Sequence, residues 1–280
     1  MEILFVSDVI SSERAGAANG GAALNDEVLC SAIAGAGHKI RVVNSKNLGS
    51  LTGEYVLLSN FFRVKPELIS ELVSRGRYSI VAHDYKFVAH MNPAVYPDFV
   101  VPEAERINLD LFSQADNVFC QSNLQKGIYD KNVTSRTHNL SGNLWDTKTI
   151  SFMDALSKRN KLRLGVTAVV KSPYPQKGVA ESIQFCIQNR LDYDLVGDPV
   201  YFAFLNKLAQ FEGLCFVPQV PETLSRVCVE AKMMGLSVLT TKLVGAVGEE
   251  WWKLDRDALS EKLVADQKRI PTEILERIVT

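Results

Sequence analysis

Short apolar runs alternate along the chain with longer stretches in which apolar residues recur every three or four positions. In the first half, Ile3–Val6, Ile40–Val43, Tyr55–Leu58, Ser79–Ala82 and Asn117–Cys120 read as buried strands. Between them, Ala22–Ala34, Pro66–Ser74, Glu103–Ser113 and Leu124–Asp130 read as helices. Leu24, Val28, Leu29 and Ile33 set the helical spacing of the first, and Gly35 and Gly37 end it. A polar helix near Thr147–Lys161 interrupts the pattern, which then restarts. Strands at Leu162–Val170, Asp194–Val196, Leu214–Val217 and Ser237–Thr240 flank helices at Val179–Gln188, Tyr201–Gln210 and Glu222–Met234, and one or two helices follow from Arg256.

Such alternation predicts an α/β fold with parallel sheets covered by helices on both faces. The break divides it into two Rossmann-like domains, about 1–150 and 151–280, which suits a chain of 280 residues. Ligands of such sheets bind at the carboxyl ends of the strands, so the central cleft between the halves is the expected site.

Composition narrows the function classes. With 31 Lys and Arg against 32 Asp and Glu, the net charge of −1 argues against a protein built to coat nucleic acid or bind an anionic membrane. Lys39, Arg41, Lys46, Arg63, Lys65, Arg75, Arg77 and Lys86 gather in the first half, and read as a solvated face. Five cysteines without a CxxC pair predict buried free thiols in a reducing compartment. No run reaches the ~18 apolar residues of a membrane span. Met1-Glu2-Ile3-Leu4 reads as a first strand rather than a signal peptide, so the expected location is cytoplasmic.

Four strand-to-helix loops carry candidate chemistry. In the first, Glu222 and Glu230 stand eight positions apart on the predicted 222–234 helix, which would turn them to one side. Glu230 lies among Val227, Cys228, Val229, Ala231 and Met233, where a carboxylate requires a partner. A ribose would supply one; so would an internal Lys or Arg. The amides of Thr223, Leu224 and Ser225 are placed to face anionic oxygens. In the second, Lys171 and Lys177 flank a proline-stiffened loop ending in Gly178, and can converge on a diphosphate or remain solvated. The third, Gly16 to Gly21, is glycine-rich yet fits neither the dinucleotide fingerprint nor the P-loop. The fourth places His83 at a strand's carboxyl end, where it can meet a sugar hydroxyl or serve as a structural histidine with Asp84 as a turn residue. No metal cluster is evident, and Asp192-Tyr193-Asp194 reads as a turn rather than a DxD site.

Taken in order, these motifs resemble the GT-B fold glycosyltransferases of the family 4-like, "glycosyl transferases group 1" type. Glu222 and Glu230 fit the family's E-x7-E motif, with Ala231 and Gly235 in register. Lys171 and Lys177-Gly178 stand where it has an Arg and a Lys-Gly. Leu195-Val196-Gly197-Asp198 looks like its VGDG turn, and Gly245-Ala246 with Glu249-Glu250 like its next Gly-Gly…Glu loop. Asp84-Tyr85-Lys86 and Gly142-Asn143-Leu144-Trp145 are similar to a compact, often phage-encoded branch. The resemblance covers most of the chain.

The resemblance implies a retaining hexosyl- or pentosyltransferase that needs no bound metal or tight cofactor and uses a UDP-, GDP- or ADP-sugar. It implies donor binding by Gly20, Gly21, Lys171, Lys177, Gly178, Glu222, Thr223, Leu224, Ser225 and Glu230, with His83, Glu222 and Lys177 catalytic. Glu230 would hold the ribose, the lysines the diphosphate, and Glu222 the sugar. Acceptors in keeping with it are a glycan, a lipid-linked glycan, a protein or a hydroxymethylated DNA base. Lys171 for Arg and Ser225-Arg226 for Phe-Gly depart from the pattern. A nucleotide-sugar epimerase, a phosphorylase and a non-catalytic nucleotide- or glycan-binding module are the alternatives.

Overall fold

The computed structural model describes residues 1–8, 20–49, 51, 53–133, 136–159 and 162–279. Residues 16–19 of the glycine-rich loop lie outside them. The first half runs β1 (Glu2–Ser7), α1 (Gly21–Gly35), β2 (Lys39–Asn44), β3 (Tyr55–Leu58), α2 (Pro66–Arg75), β4 (Tyr78–Val81), α3 (Leu109–Ser113), β5 (Asn117–Cys120), α4 (Asn123–Asn132) and β6 (Thr137–Asn139). The second continues with α5 (Thr147–Ser157), β7 (Arg163–Val170), α6 (Val179–Gln188), β8 (Asp192–Val196), α7 (Tyr201–Leu208), β9 (Phe211–Phe216), α8 (Arg226–Met233), β10 (Ser237–Thr240) and α9 (Arg256–Val279).

Two parallel sheets result, in the orders β2-β1-β3-β4-β5-β6 and β10-β9-β7-β8. Period-two alternation explains the uninterrupted apolar runs of the first sheet. Leu4 and Val6 of β1 enter one core with Val56, Leu58 and Ile80, while Ile3 and Phe5 enter the opposite core with Tyr55 and Leu57. A further core, including Ala168, Leu214, Phe216 and Met233, joins the second sheet to its helices.

Helix α9 serves both halves. Leu259 and Leu263 pack in the second-sheet core, whereas Ile270, Ile274, Leu275 and Ile278 pack with Leu29 and Ile33 of α1. The helix also grips the segment joining the sheets. Lys262 Nζ donates to Ser141 O at 2.9 Å, Arg269 Nη2 to Leu140 O at 2.6 Å, and Gln267 Nε2 to Trp145 O at 2.7 Å. Contact is so close at Gly142 that a Cβ there would stand 2.7 Å from Asp266 Oδ2.

Four expectations are corrected. The single helix over Glu103–Ser113 is a 3-10 turn at Glu103–Glu105 followed by α3. Its backbone is diverted, because Ile107 N donates to Phe87 O at 2.7 Å and Asn108 adopts a left-handed conformation. Asp192 and Tyr193 belong to β8 rather than a turn, an edge strand whose outer side tolerates acids. Of the basic residues of the first half, Lys86 is buried rather than solvated, whereas Lys39 and Arg41 stay exposed, paired with Glu2 and Glu54. Finally, α8 begins at Arg226, not Glu222. Glu222 is in extended pairing with Val244, its N–H bonded to Leu243 O at 2.7 Å, and Ser225 turns the chain at φ 75°. Glu222 and Glu230 therefore do not share a helix face.

Candidate functional site

A cleft of about 1110 Å³ opens between the halves. The first half contributes Gly20, Gly21, His83 and Asp84, the second Lys171, Lys177, Glu222, Thr223, Ser225 and Glu230. Gly178 and Leu224 stand behind this wall. Gly178 has φ +64°, and a Cβ on it would lie 1.7 Å from Val217 O, so only glycine closes this turn.

Lys177 Nζ lies 2.6 Å from Glu222 Oε1. Lys171 is fixed through its backbone, its N–H donating to Val196 O at 2.8 Å. Its side chain runs against Gly197, and no ion pair engages it among the described residues. The Glu222–Arg226 turn also leaves backbone donors open. Gly245 N donates to Glu222 O and Ala246 N to Leu224 O, but the amides of Thr223, Leu224 and Ser225 have no acceptor among the described residues.

Glu230 is 2% exposed, and its partners are internal. Oε1 accepts from Trp145 Nε1 at 2.9 Å and Tyr201 OH at 2.6 Å, with Arg226 Nε at 3.4 Å. The Arg226 guanidinium lies 4.3 Å from the Trp145 ring centroid and donates to Leu144 O. Arg226 thus clamps α8 to the connecting segment. A Cβ on Gly21 would come within 2.9 Å of its Cδ. Burial and the neighbouring Glu230 push the Tyr201 phenol upward, so it remains a donor at neutral pH. Oε2 of Glu230 takes no bond among the described residues.

His83 is held on both sides. Gln121 Nε2 donates to Nδ1 at 2.7 Å, so Nε2–H donates to Asp26 Oδ1, also at 2.7 Å. Asp26 further accepts from Ser7 and Ser59 hydroxyls, and Gln121 Oε1 from Asn143 Nδ2 and, across the cleft base, Thr223 Oγ1 at 3.3 Å. Both ring nitrogens are engaged within the protein. The adjacent Asp84 accepts from Lys86 Nζ at 2.8 Å through Oδ2; Lys86 itself is 2% exposed and bonds Asn60 Oδ1 at 2.8 Å.

Glu249 turns toward the first half. It accepts from Asn123 N at 2.5 Å, from Asn139 Nδ2 and from the Ser141 hydroxyl. Ser122 Oγ donates to Thr223 O at 2.5 Å. The motifs single out Glu249 but not its partners, and the Trp145, Tyr201 and Gln121 partnerships do not follow from motif spacing either, because each joins residues remote in sequence. Among the described residues no group of three or more His, Cys, Asp or Glu side chains could hold a metal ion, and no helix is long and apolar enough to cross a membrane. All five cysteines are free, and burial pushes the Cys215 and Cys228 thiols up to about 12.

Two parallel-sheet Rossmann-like domains facing one cleft are the GT-B glycosyltransferase architecture. Solved structures share it over essentially the whole chain. Anabaena Alr3699/HepE in complex with UDP and glucose superposes with a TM-score of 0.54 at 15% identity, covering 100% of this chain and 96% of that one. The same protein with UDP-glucose gives 0.52 at 15%, with the same coverage. An α-glucosyltransferase in complex with UDP-glucose and DNA containing an abasic site gives 0.50 at 10%, covering 99% and 94%. At these identities the likeness is one of fold. No family model and no curated protein matches the chain.

Proposed function

We propose that the protein is a glycosyltransferase that moves a sugar from a nucleoside-diphosphate sugar to an acceptor hydroxyl, with retention, in the cytoplasm. The observation that carries the reading is that one cleft of a GT-B fold is lined by Lys171, the Lys177–Glu222 pair and the open-amide residues Thr223 and Ser225, with Leu224 in the turn between them. Ammonium groups and open backbone N–H donors in one cleft are the two kinds of group that a diphosphate requires.

In this reading residues 151–280 hold the donor and 1–150 the acceptor side. Lys171 and Lys177 bind the diphosphate and stabilise the leaving nucleoside diphosphate as charge develops. Gly178 shapes the loop that presents Lys177. Glu230 offers Oε2 to the ribose, and Glu222 meets the sugar. Gly20 and Gly21 let the first half approach closely. His83, with both nitrogens engaged, acts by fixing the cleft floor rather than by taking a proton. UDP-, GDP- and ADP-sugars are the donor candidates, and UDP-glucose heads the panel because the neighbouring structures hold it. The acceptor is a glycan, a lipid-linked glycan, a protein or a modified DNA base; the neighbour bound to DNA keeps the last of these in the panel.

The test is incubation with UDP-, GDP- and ADP-sugars and these acceptors, with product anomers assigned by NMR. Absence of binding, hydrolysis and transfer throughout overturns the proposal. Binding without hydrolysis or transfer supports instead a nucleotide-binding module, a reading favoured by the internal pairing of Lys177 with Glu222 and Glu230 with Arg226.

A further inference from the structure

Among the described residues, Asp84 is the first-half carboxylate that lines the cleft with an oxygen to spare. Its side chain is 48% exposed, and its Oδ2 is fixed by the buried ammonium of Lys86, which Asn60 and the Phe61 and Phe62 rings hold from behind. Oδ1 takes no bond among the described residues. The histidines described on the first-half wall, His83 and His90, have both ring nitrogens engaged, His90 by Tyr96 OH and Asn92 N. Tyr85, next to Asp84, lines the same wall with a buried hydroxyl that has no partner among the described residues.

The charge of Asp84 restricts what can sit on it. The shielding walls oppose its ionisation, but Lys86 and, from across the cleft, Lys177 outweigh this and hold its carboxyl below the ordinary value. It is an anion at neutral pH and a weak base. A phosphate would be repelled there, whereas a hydroxyl is a matching donor. In a nucleoside-diphosphate sugar, the group bonded directly to the outer phosphate is the sugar. Lys177 and Asp84 line the same cleft from opposite halves, so with that phosphate on Lys177 the sugar enters the space that Asp84 faces.

We infer that Asp84 reads the transferred sugar, its rigidly held Oδ1 accepting hydrogen bonds from sugar hydroxyls. The inference rests on the donor reading above. Asp84 acts here as a specificity residue and takes no proton. One or two hydroxyl bonds to a charged acceptor correspond to about a tenfold gain or more for the sugar nucleotide over the bare nucleotide.

The experiment compares, by calorimetry, the binding of UDP, GDP and ADP with their glucose derivatives to the wild type and to Asp84→Asn. For whichever nucleotide binds, the wild type is expected to prefer the glucose derivative about tenfold. Asp84→Asn is expected to abolish the preference while leaving nucleotide binding unchanged, which also shows that the variant is folded. A preference that survives the substitution, or one that is absent from the wild type, overturns the inference. So does equal weakening of both ligands. If the wild type binds none of the six ligands, the donor reading itself fails, a result distinct from any of these.

Discussion

Trp145 Nε1 donates to Glu230 Oε1 at 2.9 Å, tying the carboxylate of the second E in the E-x7-E spacing to the segment that joins the two sheets. A group expected to serve a ligand is thus also a strut between the halves. Tyr201 and Arg226 complete its surroundings, and all of them are lost together when the carboxylate is removed.

Glu230→Ala is therefore expected to do two things. Removing one partner of a buried pair leaves the Arg226 charge uncompensated, at a cost of about 3 kcal/mol or more. Urea unfolding measures this. Nucleotide binding should fall as well, since the ribose loses its acceptor. Glu230→Gln keeps the shape and one acceptor oxygen, and is expected to recover part of the stability. A Glu230→Ala protein as stable as the wild type would show that the Trp145 and Arg226 contacts contribute little.

Lys177→Ala addresses the chemistry. Its ammonium is 40% exposed in the cleft and paired with Glu222, so its loss should disturb the fold little. As a stabiliser of leaving-group charge, it should lower turnover of the sugar nucleotide by about 10²–10³-fold, the usual effect of losing one preorganised donor. Steady-state rates with the active donor check this. Unaltered turnover would remove Lys177 from the proposed machinery.

Much of this architecture is legible in the chain because parallel strands buried on both faces read as uninterrupted apolar runs. Tyr55–Leu58 and Asn117–Cys120 fall where the pattern puts them. The start of α8 does not, because Glu222 is captured by Val244, a residue 22 positions away whose pairing leaves no local trace. At the site, motif spacing singles out Lys177, Glu222 and Glu230, yet says nothing of what each touches. Asp84 looked like a turn residue since only the folded chain shows Lys86 buried behind it. Arg226, which departs from the pattern the sequence resembles, stacks on Trp145 and bonds Leu144 O, partners that its position in the sequence does not reveal.

Two glycines of the site are predicted to differ in kind. Gly178 sits at φ +64° with Val217 O in the place of a Cβ, so Gly178→Ala must both strain the backbone and displace the loop that presents Lys177. A loss of at least about 2 kcal/mol is expected. Gly20 has φ −64° and, among the described residues, nothing within 4 Å of a would-be Cβ. Gly20→Ala should stay within about 0.5 kcal/mol of the wild type. Denaturant midpoints for the pair decide the matter, and equal effects would contradict the geometry.

The Asp84–Lys86 pair carries a pH signature whose sign follows from the lowered carboxyl. A group whose folded-state pKa lies below its unfolded value, about 4 for Asp, adds stability above that value. The contribution is lost as pH falls through the folded-state pKa. Asp84→Asn removes the carboxylate and leaves Lys86 with Asn60 as its hydrogen-bond partner. The stability difference between wild type and Asp84→Asn should thus be level from pH 5 to pH 8, and should shrink as the pH drops below about 4. Thermal melts of both proteins across this range measure it. A difference that grows on acidification would mean that Asp84 is held protonated by its surroundings rather than ionised by Lys86.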